Sequence, residues 1–321
     1  MIIITGAAGF IGSCMARKLN LEGHQDLILV DDFTRPEKAA NWRDKQYEDK
    51  IHRNNFFLWA EQNHRHIDCI IHLGARTDTT EMDYSIFEEL NVGYTQQMWR
   101  FAAQYRIPML YASSAATYGG GENGYLDDER LIPSLQPLNP YGKSKNEIDK
   151  WILKQSVMPP LWAGFKFFNV YGPNEYHKGR MASVIFHAFN QIAESGRVKL
   201  FKSHREDYAD GQQLRDFIYV MDVVDTLYQF ARNSHPNGIY NLGTGKARSF
   251  YDLATATFRA LGKEPVIDFI DMPEDIRDKY QYFTEANVQK LKNTRLKTDF
   301  YTIEEGTKDY VSTFLNKKQI F

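Results

Sequence analysis

The stretch that most constrains this chain is its first dozen residues. Met1, Ile2, Ile3 and Ile4 are apolar, Thr5 follows, and glycines stand at Gly6, Gly9 and Gly12, with Phe10 and Ile11 between the last two. The apolar run predicts a buried strand, and the glycines predict a tight turn that hands the chain to a helix. A strand, a glycine turn and a helix N-terminus together aim free N–H groups at an anion, which suits the pyrophosphate of a dinucleotide. Gly6, Gly9, Phe10, Ile11 and Gly12 are therefore candidate cofactor-binding residues. A second apolar run, 27–31, ends at Asp31, near the roughly 20-residue offset expected of an acid that binds a ribose.

Further apolar runs lie at 69–73, 109–113 and 163–168, with helical stretches at 85–105 and 141–155. Fully apolar strands alternating with helices predict an α/β fold: a Rossmann-type, doubly wound parallel sheet covered on both faces. After Pro173 the pattern changes to a polar loop at 174–180, a helix at 182–195 and a charged, glycine-bearing stretch at 196–215. A strand and helix follow at 216–232, then short strands at 239–242 and 266–270. We therefore expect residues 1–173 plus 216–247 to form the dinucleotide-binding domain, and 174–215 plus 248–321 a smaller mixed α/β domain for substrate. The polar segment 35–55 resists ordering by pattern. Ligands in such sheets lie beyond the strand C-termini, so chemistry is sought where 109–113 and 163–168 end.

Composition narrows the partners. Lys and Arg number 39 against 41 Asp and Glu, for a net charge of −2, and no like-charge run marks a nucleic-acid or membrane surface. Cys14 and Cys69 make no metal or disulfide pattern. No secretory leader and no apolar run of membrane-spanning length is visible. A cytoplasmic protein with a small-molecule substrate is the expectation.

Tyr141 and Lys145 are four apart on one face of the predicted helix. A tyrosine is a poor base at neutral pH, and a cation beside it favours its phenolate. Such a pair suits proton transfer in an alcohol-to-ketone step. On its own it is an unremarkable surface pair; beside a dinucleotide loop it becomes a candidate. Ser113 and Ser114 end an apolar strand, and Ser114 is the better candidate to hydrogen-bond a reacting oxygen.

These motifs, with Pro140-Tyr141-Gly142-Lys143-Ser144-Lys145, Asn169-Val170-Tyr171-Gly172-Pro173 and Arg215-Asp216-Phe217-Ile218, resemble the extended short-chain dehydrogenase/reductase family. Its members act mostly on nucleotide-linked sugars, which implies that Arg215 contacts a diphosphate rather than pairing with Asp216 or Asp222. Residues 167–183, together with 111–120, Thr79-Thr80-Glu81 and Lys279-Tyr280-Gln281, are similar to the ADP-glyceromanno-heptose 6-epimerases within it. That likeness implies inversion at C6 of ADP-D-glycero-D-manno-heptose through a transient 6-keto intermediate, in the making of lipopolysaccharide inner-core heptose. The cofactor stays bound and is regenerated, and the chain is expected to assemble as a homo-oligomer.

Hydride must leave one face of the carbinol and return to the other, so the ketone turns and its oxygen needs a second proton donor. The resemblance implies Tyr141 for one orientation and Lys178 for the other, with Ser114 and Lys145 completing the catalytic set; read alone, Lys178 is a loop cation suited to a phosphate. It further implies cofactor contacts from Asp31, Asp32, Lys38, Arg53, Leu73, Gly74, Ala75, Arg76, Asn91, Lys145, Val170 and His177. Substrate contacts are implied for Ser114, Asn169, Arg180, His187, Phe201, Lys202, Ser203, His204, Arg215 and Tyr280, and no metal is expected. The chain departs from the family pattern at Asp32, where an amide is usual, at Leu73, where an acid is common, and in Lys202-Ser203-His204. Physical chemistry leaves the cofactor open: Asp31 suits the ribose 2′-hydroxyl of NAD, whereas Arg35, Lys38 and Arg53 suit the 2′-phosphate of NADP. The resemblance implies NADP. Two other readings are weaker: another nucleotide-sugar enzyme of the family, such as a 4-epimerase or a 4,6-dehydratase, and a non-catalytic dinucleotide sensor. A 4,6-dehydratase would carry an Asp-Glu pair where Ala115-Ala116 stand, and a non-catalytic dinucleotide sensor would not need the Tyr141/Lys145 pair.

Overall fold

The computed structural model describes residues 1–277 and 280–321, with the side chains of Asp275 and Ile276 set aside; Lys279 of the Lys279-Tyr280-Gln281 motif lies outside the described residues. Among the described residues twelve strands run in chain order: β1 Ile2–Thr5, β2 Leu27–Asp31, β3 Asp49–His52, β4 Cys69–His72, β5 Met109–Ser114, β6 Trp162–Phe167, β7 Asn169–Tyr171, β8 Val198–Phe201, β9 Leu214–Tyr219, β10 Gly238–Leu242, β11 Ala247–Ser249 and β12 Ile267–Ile270. Seven of them form an all-parallel sheet in the order β10-β6-β5-β4-β1-β2-β3. The chain winds outward from β1 to β3, then returns to start the other half at β4. The switch point is thus the crevice between β1 and β4, where such sheets bind ligands.

Alternation along each strand decides which helices cover the sheet. Ile2, Ile4, Leu27, Leu29 and Ile71 face one way and pack against Cys14, Met15 and Leu19 of the helix Phe10–Leu21 and Val223, Val224 and Leu227 of the helix Val220–Arg232. Ile3, Ile28, Val30, Ile70 and Met109 face the other way. They meet Phe56 and Ala60 of the helix Phe56–Asn63, Met98 and Ala102 of the helix Tyr94–Gln104, and Ile148 and Ile152 of the helix Pro140–Ile152. Burial on both faces is why these strands read as unbroken apolar runs. A smaller core of Ala188, Ile192, Val198, Leu200, Ala254 and Phe258 joins the helices Val184–Ser195 and Phe250–Ala260 to the two-stranded pair β8 and β12. β7, β9 and β11 form a third sheet.

The strand runs at 2–5 and 27–31 are observed without change, and the other expected strands of the main sheet shift by a residue at an end. Two features depart from the pattern reading. Segment 35–55 holds the edge strand β3, in which Ile51 alone is buried; an edge strand open to solvent carries no apolar run to reveal it. The expected helix 85–105 is not uniformly α-helical: Tyr84–Phe87 leads into a π-helical stretch, Glu88–Gly93, before Tyr94–Gln104. No helix among the described residues is long and apolar enough to cross a membrane.

Candidate active site

A cleft of about 1010 Å³ opens along the C-terminal ends of β1, β4, β5 and β6. At one end lies the glycine turn. Gly6 has φ +69, and a Cβ there would stand 2.7 Å from the Gly74 nitrogen; a Cβ on Gly12 would stand 2.1 Å from the Gly6 carbonyl oxygen. Glycine at these positions lets the loops after β1 and β4 touch and lets the helix start hard against the turn. No side chain caps the helix Phe10–Leu21, so its first-turn N–H groups are left to an anion. These residues fit a dinucleotide pyrophosphate.

Asp31 is only 7% exposed and lines the cleft. Its carboxylate accepts the Ala8 N–H at 2.9 Å and the Asp32 N–H at 2.7 Å, with the Lys38 ammonium 3.4 Å away. It thereby braces the glycine turn as well as facing the cleft. Arg35, Lys38 and Arg53 line the same end, and the Arg53 Nε is buried without a hydrogen-bond partner. Asp32 is turned out of the lining. It accepts the Thr34 hydroxyl at 2.5 Å and the Thr34 N–H at 3.1 Å, and these bonds hold its pKa down to about 2.

Leu73, Gly74, Ala75 and Arg76 line the cleft after β4. Asn91 lies behind them, with its amide spent on structure. It accepts the Arg76 N–H at 2.8 Å and donates to the Arg76 carbonyl at 3.0 Å and the Ser144 hydroxyl at 2.9 Å. It holds the Arg76 backbone to the helix Pro140–Ile152 instead of pointing into the cleft.

That helix begins where the cofactor end meets the rest of the cleft. Asn139 caps it, accepting the Gly142 N–H at 2.8 Å, and Pro140 occupies its first turn. Tyr141 and Lys145 both line the cleft with Ser114 from the end of β5. Burial raises the Tyr141 phenol, and the nearby Ser114 hydroxyl draws it partly back. The expected downward pull of Lys145 is not what the geometry provides. The Lys145 ammonium donates to the Ala112 carbonyl at 2.9 Å, so it is held against β5. Burial lowers its pKa to about 8, with Asp149 opposing. Ser113 fulfils the structural alternative: its hydroxyl donates to buried Asp149 at 2.7 Å.

The loop after β7 supplies the opposite wall. Tyr176–Met181 is a short 3-10 segment broken at Gly179, which adopts φ 52. His177 and Lys178 line the cleft. The Lys178 ammonium lies 5.2 Å from the centre of the Phe10 ring, and burial lowers its pKa while Glu175 opposes. His177 is held neutral, near a pKa of about 4, chiefly by burial and then by Lys38 and Lys178. One amide ties this loop to the glycine turn. The Asn41 Nδ2 lies 3.1 Å from both the Ala8 and Asn174 carbonyls and 3.3 Å from the His177 Nδ1.

At the far end Arg215 and Tyr280 line the cleft with Asn169, Val170, Phe250 and Gln281. Arg215 is 7% exposed and pairs with no carboxylate among the described residues. It donates to the Leu214 and Gln281 carbonyls and lies over the Tyr280 ring at 5.2 Å. Asp216 and Asp222 are engaged elsewhere, by Thr244, Gly245 and Ala286 and by Tyr301 respectively, so neither neutralises it. Arg180, His187 and Phe201-Lys202-Ser203-His204 stand outside the lining. Arg180 is exposed beyond the Gly179 break, and His187 turns toward Phe186 on its own helix. Lys202 pairs with Asp271 at 3.2 Å, while the Ser203 and His204 N–H groups are bound by Asp210 and Tyr282. Sequence reasoning missed Phe250 as part of this wall; it lies at the start of a helix with no local motif. Gln281 was visible only inside the Lys279-Tyr280-Gln281 motif.

The model of the NAD dependent epimerase/dehydratase family matches residues 2–243. The chain is 49% identical to the ADP-L-glycero-D-manno-heptose-6-epimerase of Fusobacterium nucleatum, with 100% of each chain covered. It is 44% identical to the enzyme of that name from Nitratidesulfovibrio vulgaris, with 98% of each covered. Among solved structures, the Helicobacter pylori ADP-L-glycero-D-manno-heptose-6-epimerase is 27% identical, with a TM-score of 0.79 over 97% of this chain and 95% of that one. The chain belongs to the NAD dependent epimerase/dehydratase family, in the branch of the ADP-L-glycero-D-manno-heptose-6-epimerases.

Proposed function

We propose that this chain inverts C6 of ADP-D-glycero-D-manno-heptose to give the L-glycero epimer, through a 6-keto intermediate, as a step toward lipopolysaccharide inner-core heptose. One observation carries the reading: Ser114, Tyr141 and Lys145 line one wall of the cleft and Lys178, from a separate loop, lines another. A bound nicotinamide supplies the hydride acceptor and returns the hydride. The chain's own residues handle the proton. Tyr141, beside Ser114, and Lys178 exchange a proton with the sugar oxygen, one in each orientation of the sugar, and a proton passes back between them through solvent before the next turnover. Hydride and proton each leave and return once, so no oxidant or reductant is consumed.

Arg215 binds the ADP diphosphate in this reading. Its guanidinium is buried and lacks a carboxylate, which leaves its charge for an anionic ligand. NADP is the cofactor we favour, because Asp31 is already engaged by two backbone N–H groups and Lys38, while Arg35, Lys38 and Arg53 surround it with positive charge. Residues 1–173 plus 216–247 serve as the cofactor-binding part and the remainder as the substrate-binding part.

The test is incubation of the purified, cofactor-loaded protein with ADP-D-glycero-D-manno-heptose, followed by NMR of the C6 centre. Appearance of the L epimer supports the reading, and no conversion by cofactor-loaded protein overturns it.

A further inference from the structure

Behind the catalytic wall lies an ion pair that the proposed mechanism does not use. Asp149, one turn beyond Lys145, and Lys166, next to the last residue of β6, are both 0% exposed and meet at 2.7 Å. Burying two charges costs desolvation that their attraction scarcely recovers, so apolar residues of similar size would stabilise the fold about as well. What distinguishes this pair is where its other hydrogen bonds end.

The Asp149 carboxylate accepts the Tyr111 hydroxyl at 3.0 Å and the Ser113 hydroxyl at 2.7 Å. Those two residues flank Ala112, whose carbonyl receives the Lys145 ammonium. The Lys166 ammonium donates to the Thr117 hydroxyl at 2.7 Å, and that hydroxyl donates to the Ser114 carbonyl at 2.8 Å. Its remaining side faces the Tyr118 ring at 5.1 Å. The network therefore joins the helix that carries Tyr141 and Lys145 to the strand that carries Ser114. It reaches both from the side away from the cleft.

We propose that Asp149 and Lys166 are positioning residues, which hold Ser114 and Lys145 in register across the boundary between β5 and the helix Pro140–Ile152. The inference rests on the catalytic set proposed above. Neither residue touches substrate; each acts through a group that does. A network whose members are all hydrogen-bonded fixes geometry more sharply than apolar packing can, and small misplacements of reacting groups are costly to rate.

The test compares four proteins: wild type, the paired neutral variant Asp149→Asn with Lys166→Met, Lys166→Arg, and Thr117→Val. Bound cofactor, melting temperature, kcat and KM for the ADP-heptose are measured for each. The paired variant is expected to load cofactor and keep its KM but lose about tenfold or more in kcat. Lys166→Arg, which can still bond both Asp149 and Thr117, is expected to retain most of the wild-type kcat. Thr117→Val cuts only the link to Ser114 and leaves the ion pair in place; it is expected to lower kcat several-fold without moving KM. If the paired variant folds with wild-type kcat, or loses rate only in proportion to lost cofactor, the proposal is overturned. If that variant does not fold, Thr117→Val decides, and an unchanged kcat overturns it. Wild type that fails to turn over the heptose would instead overturn the proposed function, so the two failures are distinguishable.

Discussion

Lys178 and Phe10 face each other across the cleft, the ammonium 5.2 Å from the centre of the ring. Phe10 opens the helix that follows the glycine turn, so this contact brings the loop cation up to that end of the cleft. Lys178→Met is expected to leave the nucleotide retained on purification unchanged and to cut kcat by about 10²-fold or more, the range for a lost general acid or base. A variant that raises KM alone would make Lys178 a phosphate contact.

Tyr141→Phe removes one hydroxyl from a half-buried ring and leaves its packing with Phe87 in place. The fold and cofactor content should survive, while kcat falls by about 10²- to 10⁴-fold. Full biological activity of this variant in cells would instead favour a dinucleotide-sensing role.

Arg215 has no carboxylate among the described residues to leave stranded when it is replaced. Arg215→Met should therefore keep or raise the melting temperature, because it removes an uncompensated buried charge. Its KM for the ADP-heptose should rise by about 10- to 100-fold, as expected for one to two charge-assisted hydrogen bonds. Steady-state kinetics and calorimetry separate the two effects, and a fall in stability with unchanged KM would assign Arg215 to the fold alone.

Lys38 and Arg53 give the cleft its positive charge beside Asp31. Replacing both by Ala should shift the nucleotide retained on purification from NADP toward NAD, read by chromatography of the released cofactor. NADP retained as fully as in wild type would place the selectivity elsewhere.

Burial lowers Lys145 to a pKa of about 8 from an ordinary value of 10.5. Its ammonium form is complete well below pH 8 and lost above it, so kcat should decline on the alkaline side with a midpoint near 8. The same sign applied to folding makes the free enzyme gain stability between pH 8 and 10.5, where the unfolded chain alone would hold that proton. A kcat that stays level to pH 10 would contradict the assignment.

The parts of the site readable from sequence are those held by local spacing. Tyr141 and Lys145 share a helix face because they are four apart, and Gly6, Gly9 and Gly12 mark a turn that at Gly6 and Gly12 admits no side chain. Asn91 shows the limit of that reading. Its motif position suggests a cofactor contact, yet the Arg76 backbone and the Ser144 hydroxyl consume its amide. Lys202, Ser203 and His204 fall outside the cleft because their partners, Asp271, Asp210 and Tyr282, are supplied by chain remote from any motif or by the loop itself. The link between Asp149 and Lys166 is likewise invisible in one dimension, since strand order brings β6 alongside β5. Segment 35–55 hid both an edge strand and Asn41, whose role depends on reaching three backbone and side-chain groups at once.

The π-helical stretch Glu88–Gly93 also sets an alignment. A π turn holds more residues than an α turn, so it works as a phase shift between the two ends of a continuous helix. Winding the same residues as α-helix, with none removed, would swing everything before it by about 100° around the axis, the turn of one residue. Phe87, whose ring now lies 6.4 Å from that of Tyr141, would be carried away from it. The aromatic backing of Tyr141 is therefore encoded in how that stretch winds, and a change that turned its π-helical bonds into α-helical ones without removing a residue would be felt at Tyr141 although every side chain of the cleft remained.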